Sequence, residues 1–222
     1  MPQRLALFDL DNTLLAGDSD HAWGEFLIAQ QLVDEATHRK KNDQFYQDYL
    51  NGDLDIHAYV AFTLTPIHAC TCAQRTALHA EFMQYAVKPL LIDKAFDLVN
   101  AHKNAGDFCL IITATNHFIT NPIAELFKVD RLLATDVQIV EGKLTGEIEG
   151  TPCYQDGKVK KLRHWLSQSS SHLSLENSIF YTDSINDLPL LEQVSTPIAV
   201  DPDQQLAQIS VEKGWQSISL RG

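Results

Sequence analysis

The stretch Leu5-Ala6-Leu7-Phe8-Asp9-Leu10-Asp11-Asn12-Thr13 places an apolar run directly before two carboxylates. A second stretch of the same kind, Ser178-Ile179-Phe180-Tyr181-Thr182-Asp183, lies far away in the chain and is followed by Asp187. Such apolar runs fit strands that are buried on both faces, and ionised side chains must then lie at the strand ends. If these strands are neighbours, their acidic ends meet at one point, which is costly without a bound cation. The sequence therefore predicts a divalent-metal site with a carboxylate available for chemistry.

The remaining chain divides into a helical part and an alternating part. From residue 20 to residue 88 the apolar and aromatic residues have helical spacing, without a strand pattern. After Pro89, strand-like and helix-like segments alternate, which predicts a parallel sheet with helices on both faces. Glu141-Gly142 lies between two short strand patterns and is typical of a hairpin turn. We predict a Rossmann-like α/β fold with a doubly wound parallel sheet. Residues 1–16 and 89–222 would form the core domain, and residues 17–88 a helical cap inserted after the first strand.

Composition restricts the partners and the compartment. The net charge of −12, from 17 basic and 29 acidic residues, predicts no binding to nucleic acid or to anionic membranes. We find neither a signal-peptide pattern nor an apolar run of membrane-spanning length. The four cysteines do not have the pattern of a disulfide framework or a zinc finger. A cytoplasmic protein is therefore expected, and its oligomeric state stays open.

Asp9 and Asp11 are candidates for the chemistry itself. Alternation along an extended segment sends both side chains to the same side. Beside a cation, one carboxylate can act as nucleophile or ligand while the other holds or transfers a proton. The alternative is a calcium loop that starts at Asp9, but Leu14 then occupies the position where such a loop needs glycine.

Two further segments have groups that suit an anion. Asp183 and Asp187 precede a predicted helix, whose N-terminal N–H groups favour anions. Thr113 follows a predicted strand, and its hydroxyl with free N–H groups can form a cradle for phosphate oxygens. In both cases the alternative is an ordinary helix cap.

A lysine at the start of a predicted helix could neutralise a phosphate. Gly157-Lys158 opens the helix that precedes the strand ending near Asp183, and an ammonium group acts on phosphate as a point charge. Lys160 and Lys161 are alternatives, and each of the three could instead be a solvated surface lysine.

Taken together, these motifs resemble those of the haloacid dehalogenase superfamily, the phosphohydrolases with an aspartate nucleophile. The match comprises Asp9-x-Asp11-x-Thr13, the Thr113 segment, Lys158 and Asp183-x-x-x-Asp187, in the order found in the family. The position of the helical insert looks like the cap of the phosphoserine phosphatase-like subgroup, subclass IB. Asp18–Leu27 and Val200–Asp203 resemble a branch of that subgroup that includes histidinol-phosphatase-like proteins.

The resemblance implies a strand order of 5-4-1-2-3 and Mg²⁺-dependent hydrolysis of a phosphomonoester. It implies that Asp9 is the nucleophile that forms an aspartyl-phosphate and that Asp11 is the general acid and base. Mg²⁺ would bind Asp9, the backbone carbonyl of Asp11 and Asp183, supported by Asp187. The residues implied to hold the phosphoryl oxygens are Thr113, Asn186 and Lys158.

The segment after the first motif departs from the phosphoserine phosphatases. Asp18 stands where those enzymes usually have a glutamate, and Thr182 and Ser184 replace glycines, so L-phosphoserine is not the favoured substrate. Acidic residues near the leaving group would suit an amine-bearing substrate such as histidinol phosphate. The residues expected to face that group are Asp18, Asp20, His21 and Trp23. The alternative interpretation of these four is surface acids and a core tryptophan.

Other functions remain open at this stage. They are phosphoserine hydrolysis, phosphoryl transfer by the same fold to an acceptor other than water, and a non-catalytic binding protein that retains the fold. Hydrolysis of a carbon–halogen bond is disfavoured, because it needs the nucleophile but neither Asp11 nor a metal.

Overall fold

The computed structural model of the chain describes residues 3–169 and 172–221. The strands are β1 Leu5–Phe8, β2 Phe108–Asn116, β3 Arg131–Thr135, β4 Val137–Val140, β5 Lys143–Ile148, β6 Ser178–Thr182, β7 Thr196–Val200 and β8 Gln216–Ile218. The helices are α1 Ser19–Ala29, α2 Glu35–Asn51, α3 Ile56–Leu64, α4 Cys72–Phe82, α5 Asp93–Asn104, α6 His117–Phe127, α7 Asp156–Gln168, α8 Leu188–Leu191 and α9 Gln204–Lys213.

The main sheet is parallel and runs in the order β3-β2-β1-β6-β7-β8. If the six strands of this sheet are numbered 1 to 6 along the chain and read from the β8 edge, the order is 6-5-4-1-2-3. This is the predicted order 5-4-1-2-3 with a sixth strand added at one edge. Each residue of β1 is fully buried, because helices cover both faces of the sheet. The doubly wound α/β fold predicted from the sequence is confirmed.

The register of the central strands puts the two acidic stretches side by side. Phe8 pairs with Ile111 of β2 on one side and with Tyr181 of β6 on the other. The backbone N–H of Asp9 then donates to the carbonyl of Tyr181 at 2.8 Å. The carboxyl ends of β1 and β6 are therefore level, as the charge argument required.

The predicted helical insert lies between β1 and α5. Its helices begin at residues that satisfy free N–H groups: Asp18, Asp34 and Asp55 accept such bonds at the starts of α1, α2 and α3. Thr71 forms a capping box at the start of α4. These short-range bonds explain why this segment is helical, because each cap stabilises a helix by about 1 kcal/mol.

The hairpin of β4 and β5 is the one predicted around Glu141-Gly142. Both turn residues have positive φ, at 49° and 76°, as a tight two-residue turn requires. The hairpin packs against the helical insert, since a Cβ on Gly146 would lie 3.5 Å from the Cα of Ala61. His68 also forms a 2.6 Å bond from Nδ1 to the carbonyl of Leu144. The sequence did not predict this contact.

Within residues 3–169 and 172–221, no helix has the length and apolar character needed to cross a membrane.

Candidate active site

The acidic residues singled out in the sequence meet at one edge of the main sheet. Asp9 follows β1, Asp183 follows β6, and Thr113 lies in the last part of β2. Because β1 is hydrogen-bonded to both β2 and β6, their carboxyl ends form a single crevice. Ligands bind in such crevices in open α/β sheets.

Lys158 joins two of the acids. Its side chain is only 2% exposed, and Nζ lies 2.8 Å from an oxygen of Asp9 and 2.8 Å from an oxygen of Asp187. Thr182 donates its hydroxyl to the same Asp187 carboxylate at 2.6 Å. We call Asp9, Lys158, Thr182 and Asp187 the lysine cluster. These contacts favour Lys158 over its two rivals.

Neither of the rival lysines lies in the cluster. Lys160 is exposed. Lys161 forms its contacts elsewhere, with the backbone carbonyl of Ala134 and the carboxylate of Asp136. The first turn of α7 therefore directs one lysine to the acidic crevice, and the side chains of the other two lie elsewhere.

Gly157 allows α7 to begin where it does. A Cβ at this position would lie 2.0 Å from the carbonyl oxygen of Pro152, well inside van der Waals contact. Only glycine leaves room for this approach without a shift of the backbone. The position of Lys158 therefore depends on its neighbour.

Asp11 is held by a different set of groups. One of its oxygens accepts the backbone N–H of Ser19 at 2.7 Å. The other accepts the hydroxyl of Thr115 at 2.9 Å and that of Thr113 at a longer 3.4 Å. Asp11 thus contacts both the helical insert and β2.

Thr115 is a functional candidate that sequence reasoning missed. The segment Thr113–Asn116 was predicted to open a helix, but it continues β2, and Asn116 is the cap of α6. Alternation along a strand puts the side chains of Thr113 and Thr115 on the same side, where both meet Asp11. Two hydroxyls spaced by two residues were the available signal.

Burial changes the acidity of the two catalytic candidates. It raises the pKa of Asp9 to about 7, with Asp187 adding to the rise and Lys158 opposing it. It raises the pKa of Asp11 to about 6, with Asp18 adding to the rise and the bonds from Ser19 and Thr115 opposing it. A carboxyl group that titrates near neutral pH can both give and take a proton.

Asp183 lies beside the lysine cluster on the loop after β6. Thr13 donates its hydroxyl to the Asp183 carboxylate at 3.1 Å and accepts the Asp183 backbone N–H at 3.0 Å. Burial, together with the nearby charges of Asp9 and Asp187, raises the pKa of Asp183 well above its usual value.

The charge balance of this crevice fits a divalent cation. Burial lowers the pKa of Lys158, but Asp187 and Asp9 raise it by more, so the lysine stays charged. One ammonium group does not offset the three carboxylates of Asp9, Asp183 and Asp187. Burial is the main cause of the raised pKa values of Asp9 and Asp183, and repulsion from the neighbouring carboxylates adds to it. Carboxylate oxygens are the ligands that Mg²⁺ prefers. The donor set therefore suits such an ion.

Asn186 was predicted to hold phosphate, but the structure gives its side chain protein partners. Nδ2 donates to the backbone carbonyl of Tyr49 at 2.8 Å. Oδ1 accepts from Gln155 at 3.1 Å and from the hydroxyl of Tyr154 at 3.4 Å. In this conformation the Asn186 side chain links the helical insert to the loop after β6, and its polar atoms are engaged by protein groups.

A small cavity lies between the crevice and the helical insert. Its volume is about 20 Å³, which is room for about one water molecule. Acids of both parts line it together with aromatic side chains and β2 residues: Asp9, Asp11, Asp18, Asp20, Phe45, Tyr46, Tyr49, Tyr59, Thr113 and Thr115 are among them. An ester could enter only if the helical insert moved.

Two of the predicted substrate-facing residues line this cavity. Asp18 caps α1 through the N–H of His21, and burial raises its pKa. Asp20 is 4% exposed, and its Oδ1 has no hydrogen-bond partner among the residues that the structure describes. Burial, with the charges of Asp18 and Asp11, raises the pKa of Asp20 well above its usual value.

The other two predicted substrate-facing residues do not line the cavity. Trp23 is fully buried in the core, where its ring makes edge-to-face contacts with Phe82 and Phe118. Its Nε1–H donates to the carbonyl of Thr63. His21 lies farther out and bonds Asp43 at 3.0 Å. Neither side chain lines the cavity in this arrangement, so a role of His21 or Trp23 toward the substrate stays a prediction.

Comparison with known proteins identifies the family of the chain. The model of the haloacid dehalogenase-like hydrolase family matches residues 6–192. The chain belongs to that family, whose motifs were recognised in the sequence. Like its homologues in this family, the protein is a phosphatase.

Two relatives resemble the chain over nearly its whole length. The chain is 41% identical over 221 residues to a histidinol-phosphatase of Neisseria meningitidis serogroup C, covering 99% of this chain and 100% of the relative. It is 33% identical over 217 residues to a probable phosphatase of Mycobacterium tuberculosis, covering 97% of this chain and 75% of that protein.

Solved structures have the same fold. A protein of unknown function from Bordetella pertussis Tohama I superposes with a TM-score of 0.91 at 43% identity, with 100% of both chains covered. A phosphoserine phosphatase solved as a phospho-aspartyl intermediate analogue superposes with a TM-score of 0.70 at 18% identity, covering 100% of this chain and 95% of that one. At that identity the likeness concerns the fold alone.

Proposed function

We propose that this phosphatase hydrolyses a small phosphomonoester through an aspartyl-phosphate, with Mg²⁺ as cofactor. Residues 1–16 and 89–222 would act as the catalytic core and residues 17–88 as a cap over it. The observation that carries the proposal is Asp9, a buried carboxylate held at 2.8 Å by Lys158 at the end of β1. Asp11, with a pKa of about 6, follows on the same loop.

The metal ligands would be the carboxylates of Asp9 and Asp183 and the backbone carbonyl of Asp11. The support is the uncompensated negative charge of the crevice and the engagement of the Asp11 carboxylate by Ser19 and Thr115. When bound, Mg²⁺ would neutralise charge on the ligands and on the phosphoryl oxygens. Asp187 would support this arrangement by fixing Lys158 between itself and Asp9.

Two steps would complete the reaction. In the first, a carboxylate oxygen of Asp9 attacks phosphorus, and protonated Asp11 gives its proton to the departing alkoxide, which leaves as an alcohol. In the second, Asp11 takes a proton from a water molecule that attacks the phosphorus of the aspartyl-phosphate. Inorganic phosphate leaves, and Asp9 becomes a free carboxylate again.

Lys158 and Thr113 would hold the phosphoryl oxygens. The ammonium group of Lys158 is already beside the nucleophile, where the transferred group must pass. The Thr113 hydroxyl lies near Asp11, to which it donates at 3.4 Å. Asn186 would join them only after exchanging its present partners, which are Tyr49 of the cap and Tyr154 and Gln155 of the core.

The substrate would carry a positive group, as histidinol phosphate does. Asp18 and Asp20 line the cavity, and the Oδ1 of Asp20 has no partner in the described part of the chain. An ammonium or imidazolium group would satisfy that oxygen, and aromatic walls such as Tyr59 would pack against it. The relative named histidinol-phosphatase supports the same substrate class.

A phosphate-release assay with purified protein tests the proposal. Histidinol phosphate, L-phosphoserine and a neutral phosphomonoester would be compared with Mg²⁺ and after its removal by a chelator. We expect Mg²⁺-dependent release and fastest turnover of an amine-bearing ester. Faster turnover of the neutral ester would remove the substrate assignment, and no release from any ester would favour a non-catalytic role. If an added alcohol lowers the amount of inorganic phosphate formed per molecule of ester consumed, the phosphoryl group is being transferred to that alcohol.

A cytoplasmic location belongs to the same proposal. Its support is that the four cysteines, Cys70, Cys72, Cys109 and Cys153, have free thiols.

A further inference from the structure

Three segments that are distant in the chain meet beside the lysine cluster. They are the end of α2, the residue that precedes α7, and the loop after β6. Asn186 of that loop donates to the carbonyl of Tyr49 in α2 at 2.8 Å. Gln155, just before α7, donates to the carbonyl of Gly52 at 3.2 Å and to Asn186 at 3.1 Å.

The end of α2 is shaped for this contact. Gly52 is the residue after the helix and has φ of 78°, a conformation that L side chains rarely adopt. Its carbonyl is thereby turned to the Gln155 amide. The rings of Tyr49 and Tyr154 also approach, with centroids 6.0 Å apart. The helix end is therefore bound by main-chain and side-chain contacts together.

Gln155 has a strained backbone conformation, and the contacts of its side chain compensate for that strain. Its φ of 48° and ψ of −123° lie outside the regions that residues with a Cβ adopt readily. Glycine would adopt this conformation more easily. The glutamine amide, however, contacts Gly52, Asn186 and Tyr154 at once.

The cavity under the cap explains why such contacts matter. At about 20 Å³ it is closed to an ester, and its walls include Tyr46 and Tyr49 of α2. A substrate can enter only if α2 moves away from the sheet. That movement separates Tyr49 and Gly52 from Asn186 and Gln155.

We propose that Gln155 and Asn186 form a latch that holds α2 over the site, with Gln155 as a positioning residue for catalysis. The closed cap is thereby coupled to the catalytic groups, because Gln155 begins the segment that carries Lys158 and Asn186 adjoins Asp187. The catalytic part of this inference rests on the proposed function, whereas the structural part does not.

The first test measures cap opening without any substrate. Gln155→Gly removes the amide while suiting the backbone, so the fold should be kept. We expect amides of residues 45–54 to exchange hydrogen about 10-fold faster, the change expected from losing one or two hydrogen bonds. Amides in the middle of α7 should exchange as in the wild type. Gln47→Ala, at an exposed position of α2, is the control for the loss of a glutamine side chain and should exchange as the wild type does.

The second test measures kinetics on the ester that the wild type hydrolyses fastest. Gln155→Gly should lower kcat about fivefold to tenfold, because less of the bound enzyme is closed, and Gln47→Ala should leave kcat unchanged. Unchanged exchange in residues 45–54 for Gln155→Gly would overturn the latch. Faster exchange with wild-type kcat would overturn the positioning role alone. If the wild type hydrolyses no ester, the proposed function fails while the exchange experiment still decides the latch.

Discussion

The molecule has two groups of buried acids around one cavity, and they are satisfied in different ways. In the lysine cluster, Asp187 accepts from both Lys158 and Thr182, and Asp9 accepts from Lys158. On the cap side, Asp20 is almost as deeply buried, yet its Oδ1 has no hydrogen-bond partner among the described residues. The ammonium group of Lys158 neutralises part of the charge of the lysine cluster, whereas Oδ1 of Asp20 has no comparable partner in the described part of the chain.

We interpret the lysine cluster as part of the framework of the site and Asp20 as a candidate contact for a ligand. A buried polar atom without a partner costs about 1–3 kcal/mol, so it is rare in folded proteins. Removing a partner from the lysine cluster should therefore damage the fold or the chemistry. Removing the charge of Asp20 should change mainly what the cavity binds.

The largest expected effect comes from Asp9, the proposed nucleophile in the lysine cluster. Asp9→Asn should lower phosphate release by about 10⁴-fold or more, because the amide cannot form the aspartyl-phosphate. Release of phosphate from the best ester, with Mg²⁺ present, is the measurement. Asp97→Asn, at an exposed position of α5, is the matched control and should keep wild-type activity. Activity of Asp9→Asn within tenfold of the wild type would refute the nucleophile assignment.

The next effect should be on stability. Asp187→Ala leaves a hole beside Lys158 and removes one of its two carboxylate partners, so the free energy of unfolding should fall by about 3 kcal/mol. Denaturant unfolding would measure the change. For Asp97→Ala we expect a change within about 0.5 kcal/mol. If both variants were equally stable, the cluster would not contribute to the fold.

Metal binding should depend on pH in a predictable direction. Without metal, the pKa of Asp9 is raised to about 7 and that of Asp11 to about 6. Acids with raised folded-state pKa values stabilise the fold at low pH, and this contribution is lost as pH rises from about 4 through those values. The melting temperature of the metal-free protein should therefore lose this contribution between pH 5 and pH 7.5.

Mg²⁺ at about 100 times its dissociation constant should counter that loss at pH 7.5, adding about 2.7 kcal/mol. This corresponds to a rise of the melting temperature of about 5–10 °C, and the rise should be smaller at pH 5, where protons compete for the carboxylates. Asp183→Asn should reduce the rise. Thermal unfolding with and without Mg²⁺ at both pH values is the measurement. An equal rise at both would contradict a carboxylate site.

The smallest effect should come from the cap side, and it should be selective. Asp20→Asn should lower kcat/KM for an amine-bearing ester about 10-fold relative to a neutral ester, by removing the charge that the amine would meet. Because burial raises the pKa of Asp20, ionising it opposes folding, so the variant should be no less stable at pH 7.5. A parallel fall for both esters, or a clear loss of stability, would assign Asp20 to the fold instead.

Several features of this site were predictable because they are local. An apolar run that ends in Asp9 or Asp183 predicts a buried strand with an acidic end, and the parallel sheet then brings these ends together. Lys158 was found through its place at the start of a helix, after Gly157. Thr115 was missed because the segment was taken for a helix start, although its spacing from Thr113 fits a strand.

Other features depend on contacts between segments that sequence patterns do not relate. Lys158 and Asp9 are 149 residues apart, and Gln155 and Gly52 are 103 apart. The direction in which α1 packs decides that Asp20 lines the cavity while Trp23 enters the core. That direction follows from the packing of whole helices, which one helix's own residues do not fix.

The sequence by itself determined the sheet, its helical insert and the candidate groups for phosphoryl chemistry, because strand alternation, helix caps and turn residues act over a few positions. Only the tertiary structure decided which lysine joins which carboxylates and where the cap is attached. It also left Oδ1 of Asp20 without a hydrogen-bond partner among the described residues. The physical reason is that a side chain's partner depends on the packing of distant segments, whereas its backbone conformation depends mainly on its neighbours.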